Sequence, residues 1–141
     1  MADILKEYSE ATVAGAGQLK LIIMLYEGAE RFLRQARGNI ERNEIEKAHI
    51  NLTKAKRIVA HFLGTNNPES GELGMNLHRL YLFLYEKIAT ANLQKSVEEA
   101  DDALRILRKL LEGWRDLQQQ EAPAPTAAPP GQPSRAISLQ A

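Results

Sequence analysis

Glu46 and His49 stand three residues apart in a segment of helical periodicity, the spacing at which di-iron bundles present a glutamate and a histidine on one face. Such a site needs a second pair on another helix. His61 is preceded at that spacing by Ile58 and His78 by Met75, so the second pair is missing. The first then reads as a capping glutamate beside a surface histidine. With no cysteine there is no thiolate ligand, thiol nucleophile or disulfide. Gly15 and Gly17 precede a helix, yet the strand and lysine of a phosphate loop are absent, and the pair reads as a hinge. Neither a Ser-His-Asp order nor paired inward carboxylates can be argued from the spacing. The expectation is a protein that is not an enzyme, with no metal and no cofactor.

Charge points the same way. Eighteen basic residues balance eighteen acidic ones, whereas a nucleic-acid binder shows a basic excess. Arg31, Arg34, Arg37, Lys47, Lys54 and Arg57 gather positive charge on the first helix pair, where Glu27, Glu30, Glu41 and Glu44 dilute it. No nucleic acid is expected as partner. The N-terminus, MADILKEYSE, carries acids where a signal peptide carries bases, and no segment approaches the roughly 20 apolar residues of a membrane span. A soluble, cytoplasmic protein without membrane insertion is expected.

The informative residues are apolar and aromatic. In QLKLIIMLYEGAERFLRQA, Leu21, Leu25, Phe32 and Ala36 follow a helical step and form one candidate inward stripe. Leu19, Ile22, Ile23, Tyr26 and Leu33 widen it beyond the third of a helix that a core uses. LHRLYLFLYEKIATANL shows the same excess, with Tyr81 and Tyr85 one turn apart and Leu82 beside them. Tyr26, Tyr81, Tyr85 and Trp114 each join an apolar ring to a polar handle, which suits the margin of a core or an interface. Surplus of this size implies a contiguous apolar patch and therefore a partner.

Four long helices must position these side chains, giving an all-α, antiparallel up-down-up-down four-helix bundle. The first is expected from about Gln18 to Arg42. Asn43 with Glu46 supplies an N-cap and N3 pair for the second. Its seam is Ile45, Ala48, Leu52, Ala55, Val59 and Phe62, ending at Gly64 as C-cap. Either Asn67, with Pro68 at the first helical position, or Ser70 caps the third, whose seam is Leu73, Leu77, Leu80, Leu84, Ile88 and Ala91. Ser96 with Glu99 forms a capping box for the fourth, which carries Val97, Ala100, Leu104, Leu107, Leu111 and Trp114. The connections on either side of the middle one are too short for anything but antiparallel neighbours.

This divides the chain into an N-terminal segment (1–17), the bundle (18–120) and a tail (121–141). In the first, Ile4, Leu5 and Tyr8 allow a short amphipathic helical turn. The tail holds five of the six prolines and reads as disordered, with Ile137 and Leu139 as its sizeable aliphatics.

Over about Leu5 to Gln118 the sequence resembles the flagellar secretion chaperone FliS family. The likeness rests on Tyr8 and Val13, then on Leu21, Met24, Leu25, Tyr26, Glu27, Gly28, Ala29, Phe32, Leu33 and Ala36. NLTKAKRIV, GELGMNLHRLYLFLYEKIATAN and LLEGW follow in order. Relatives tend to start the first long helix with Thr/Ser-Pro where this chain has Gly17-Gln18, and the proline-rich tail lies outside the common pattern. The resemblance implies a cytoplasmic chaperone around which the C-terminal segment of flagellin wraps in apolar grooves, held from polymerising before export. It also implies an N-terminal segment, matched here by Tyr8 with Leu5 nearby, that covers part of the groove and docks the loaded complex on the flagellar export gate. The expected partner-binding residues are Leu5, Tyr8, Ile22, Ile23, Tyr26, Leu33, Tyr81, Leu82 and Tyr85. The competing reading is a structural bundle whose surplus face makes a permanent homo-oligomer, whereas a chaperone is expected to be a monomer or a weak homodimer.

Overall fold

Residues 42–44 separate the first two helices and residues 95–96 the last two, so each of these pairs must turn back on itself. A computed structural model describes residues 15–121 of the chain. They form α1 (Gly15–Glu41), α2 (Ile45–Thr65), α3 (Glu72–Gln94) and α4 (Val97–Glu121). The packed pairs are α1 with α2 and α4, and α3 with α2 and α4, which closes an up-down-up-down bundle. Ion pairs between Glu30 and Arg108 and between Arg37 and Asp101 show α1 and α4 running in opposite directions. Gly15 and Gly17 lie inside α1 rather than in a hinge.

The core is built from Leu19, Ile23, Tyr26 and Leu33 of α1, packed against Leu52 and Val59, Leu84 and Ile88, and Leu107. This inverts the expected order of the two α1 stripes. Leu21, Leu25 and Phe32 are half-buried at the margin, while the apparent surplus faces inward. Both stripes have helical spacing and differ by a rotation of about 100°, so period alone could not choose between them. On α2 the expected seam is buried except Ile45, which is exposed just beyond the turn. On α3 Leu84, Ile88 and Ala91 are buried, but Leu73 and Leu80 face outward and Gly74 and Tyr81 take the inner positions. The α4 seam is buried at Ala100, Leu104, Leu107 and Leu111, with Val97 and Trp114 half-buried.

The turns correct three expected caps. Asn43 adopts left-handed backbone (φ 59°) and ends α1 rather than capping α2. Its place as a link between helices is taken by buried Asn39, whose Nδ2 donates to Glu44 Oε1 (2.8 Å) while its Oδ1 accepts from Asn51 Nδ2 (2.8 Å). That bond from Asn39 lowers the Glu44 carboxyl below the usual range. Helix α2 continues through Gly64 to Thr65. Neither Asn67 nor Ser70 caps α3; Gly71, at φ 108°, precedes its first residue. The fourth cap is as expected, with the Glu99 amide donating to Ser96 Oγ (3.2 Å).

Gly74 makes the α2–α3 turn possible. A Cβ there would lie 2.3 Å from the Asn67 carbonyl oxygen and 2.4 Å from Ser70 Oγ. Asn66 Nδ2 donates to the Gly74 carbonyl at 2.9 Å, locking the same approach. Gly74→Ala is expected to destabilise the protein by about 1–3 kcal/mol, because backbone rather than a side-chain tip must move. Gly64→Ala, with nothing within 4 Å of the added carbon, should be neutral or stabilising. Equal denaturation midpoints for the two variants would contradict this.

Candidate partner-binding groove

Each helix gives one aromatic ring to a layer across the bundle: Tyr26 from α1, Phe62 from α2, Tyr81 from α3 and Trp114 from α4. Tyr26 lies 4.6 Å from Phe62 and 6.2 Å from Trp114 by ring centroid, and Phe62 stacks on Tyr81 at 5.6 Å. The Tyr26 and Tyr81 hydroxyls share a hydrogen bond of 2.7 Å across the core, either one donating. Burial pushes both hydroxyls above the usual tyrosine range. The two tyrosines therefore satisfy each other and need no partner protein.

The four seams outside this layer differ in chemistry. Along α1–α4, Glu27 pairs with Arg115 (2.8 Å), Glu30 with Arg108 (3.0 Å) and Arg37 with Asp101 (2.5 Å). Those α4 residues repeat at seven and form a charged ladder along the seam. Exposed pairs of this kind are each worth about 0.2–1 kcal/mol, so the ladder sets register more than stability. On α1–α2, half-buried Phe32 carries Arg31 and Lys54 over its ring at 5.3 and 5.4 Å. On α2–α3, His49 Nδ1 bonds the Asn92 amide and Lys56 covers Tyr85 at 5.6 Å. The histidine of the Glu46–His49 pair is thus engaged across the seam.

The α3–α4 seam is apolar on its outside. Lys87 Nζ reaches Glu99 Oε1 (3.0 Å) and Asp102 Oδ2 (3.2 Å), closing one end. Leu73 and Leu80 precede Lys87 at intervals of seven, so this row faces α4. They are 70% and 39% exposed, and Phe83, under the Lys87 ammonium, is 48% exposed. From α4, half-buried Ile106, Leu110 and Leu117 follow Asp102 along the same flank. Gly113 lies between Leu110 and Leu117 with nothing within 4 Å of where its Cβ would stand, leaving a notch for an approaching chain. The result is an apolar groove open at the Leu73–Leu117 end and closed by charge at the other.

Lys87 is held above the usual lysine range by Glu99 first and Asp102 second, and Asp102 is held below the usual carboxylate range by Lys87. A depressed carboxyl contributes stability above its unfolded value and loses it as pH falls through the folded one. Acidification below about pH 4 should therefore loosen the closed end. Thermal melts of the wild type should drop more steeply there than those of Asp102→Asn, and parallel curves would count against the linkage.

The expected partner-binding residues divide accordingly. Ile23, Tyr26, Leu33 and Tyr81 are buried in the core and offer no surface, which corrects their assignment. Ile22 and Tyr85 are half-buried, and Leu82 is exposed on the side of α3 near α2. Leu5 and Tyr8 lie outside the described residues. Leu73, Leu80, Phe83, Ile106, Leu110 and Leu117 were missed. One signal could have found them: the row 73–80–87 runs into a lysine, while the row 74–81–88 stays free of charge.

A family model described as flagellar protein FliS matches residues 1–121. The flagellar secretion chaperone FliSB of Pseudomonas aeruginosa is 33% identical over 106 residues, 74% of this chain and 84% of the relative. The flagellar secretion chaperone FliS of Salmonella typhimurium is 28% identical over 110 residues, 77% and 82% of the two chains. That of Bacillus subtilis is 26% identical over 114 residues, 81% and 85%. With a family match spanning all four helices, the chain belongs to the FliS family of flagellar proteins.

Proposed function

We propose that this protein is a cytoplasmic flagellar export chaperone. It holds the C-terminal segment of flagellin in its apolar grooves, keeps it from polymerising, and delivers it to the flagellar export gate. The observation that carries the reading is the contrast between seams: α1–α4 is bridged by ion pairs, while α3–α4 exposes Leu73, Leu80 and Phe83. A segment that folds as it binds lays apolar anchors into such a groove. Coupled folding of this kind buries on the order of 1,000–3,000 Å², more than one seam of a small bundle offers. The α2–α3 flank around Leu82 and Tyr85 extends the surface, with Leu5 and Tyr8 of the N-terminal segment as its proposed cover before the client binds. The role is one of holding a client, with no chemistry performed on it. Among the described residues no helix is long and apolar enough to cross a membrane.

Isothermal titration with a peptide of the host flagellin's C-terminal segment tests this directly. One-to-one binding by a monomer is the expected result. A permanent homodimer that ignores the peptide would instead assign the apolar face to self-association.

A further inference from the structure

The twenty residues 122–141 follow the last helix, and the family match stops at residue 121. Their one charged side chain is Arg135, and their sizeable aliphatics are Ile137 and Leu139. We infer that this tail is a tethered competitor for the α3–α4 groove, with Ile137 and Leu139 seated beside Leu110 and Ile106. The inference rests on the reading of that groove as a client site.

Three features carry it. The tail leaves α4 at the groove's open end, one turn past Leu117. From Leu117 back to Ile106 is roughly 16 Å of helix, while the sixteen residues from Glu121 to Ile137 span up to roughly 53 Å when extended. The tail therefore reaches the whole groove with length to spare for turning back. Next, residues two apart on an extended chain point the same way at a spacing of about 6.6 Å. Leu110 and Ile106, one turn apart on α4, are offset by about 6 Å, so the two anchors match the two seats. Finally, a chain entering from the mouth places Arg135 one step behind Ile137, toward Glu72, the exposed acidic neighbour of Leu73. Two aliphatic anchors bind weakly, but a short tether supplies an effective concentration in the millimolar range. That suits a latch which a longer client segment displaces.

The test compares the full chain with its Ile137→Asp/Leu139→Asp variant. Methyl NMR of Leu73, Leu80, Leu110 and Leu117 without client should differ between the two proteins. The flagellin C-terminal peptide should bind the variant about two- to tenfold more tightly. Groove methyl signals identical in both proteins would overturn the inference, even with the peptide binding both equally, and the client reading would stand. Methyl shifts that grow with protein concentration assign the tail to a second copy and overturn the tether. Methyl differences independent of concentration, with no peptide bound by either protein, support the latch and remove the client reading.

Discussion

Tyr26→Asp is expected to unfold the bundle rather than merely weaken a binding surface. Tyr26 is 0% exposed, and the aspartate would leave a cavity among Phe62, Trp114 and Tyr81. Losing a core aromatic costs about 3–5 kcal/mol, and a carboxylate buried there adds to it. Against a total stability of about 5–15 kcal/mol, far-UV circular dichroism should show most helicity lost or a melt moved far down in temperature. A finer experiment isolates the hydroxyl pair. Tyr26→Phe alone strands the Tyr81 hydroxyl and should cost about 1–3 kcal/mol, and Tyr81→Phe likewise. The double variant leaves no orphan, so its loss should be smaller than the sum. Additive losses would mean that the 2.7 Å contact contributes no coupling. Alkali offers a related check. The unfolded chain releases both protons near pH 10 and the folded one does not, so stability should fall as pH rises beyond that.

The four helices and the Ser96 cap were legible because apolar spacing and cap chemistry are local. What period cannot supply is rotation about the helix axis when two adjacent rows are both apolar. On α1 the row of Leu19, Tyr26 and Leu33 competes with that of Leu25 and Phe32, and the decision came from the opposite side of the bundle. The Tyr81 hydroxyl meets Tyr26, and Ile58 of α2 packs beside Gly28 on the adjacent face. On α3 the same ambiguity hid Leu80 inside the expected core and the groove with it. The turns were misread for a different reason. Asn43 has the composition of an N-cap, but its left-handed backbone ends the preceding helix. Gly71 answers a left-handed backbone (φ 108°) and Gly74 a close backbone approach, both of which only the folded turn creates.

Leu80→Asp combined with Phe83→Asp should abolish client binding while leaving the fold intact. Both side chains reach the surface, at 39% and 48% exposure, so carboxylates placed there stay in contact with solvent. Stability should change by about 1 kcal/mol or less. For the groove the effect is large, since a client anchor would meet a charge where it needs an apolar seat. Central apolar anchors carry about 2–4 kcal/mol each, so affinity for the flagellin C-terminal peptide should fall at least about 100-fold by titration. Arg108→Ala with Arg115→Ala is the matched control on the α1–α4 seam. It removes two exposed ion pairs and should leave peptide affinity within about threefold, since each contributes so little. Salt separates the seams again, because raising ionic strength screens the ladder but leaves apolar burial in force. Equal losses from the two double variants would show that the client uses no particular seam. An unchanged affinity in the α3 variant, with helicity retained, would remove this groove from the client's path and shift the search to the flank around Leu82 and Tyr85.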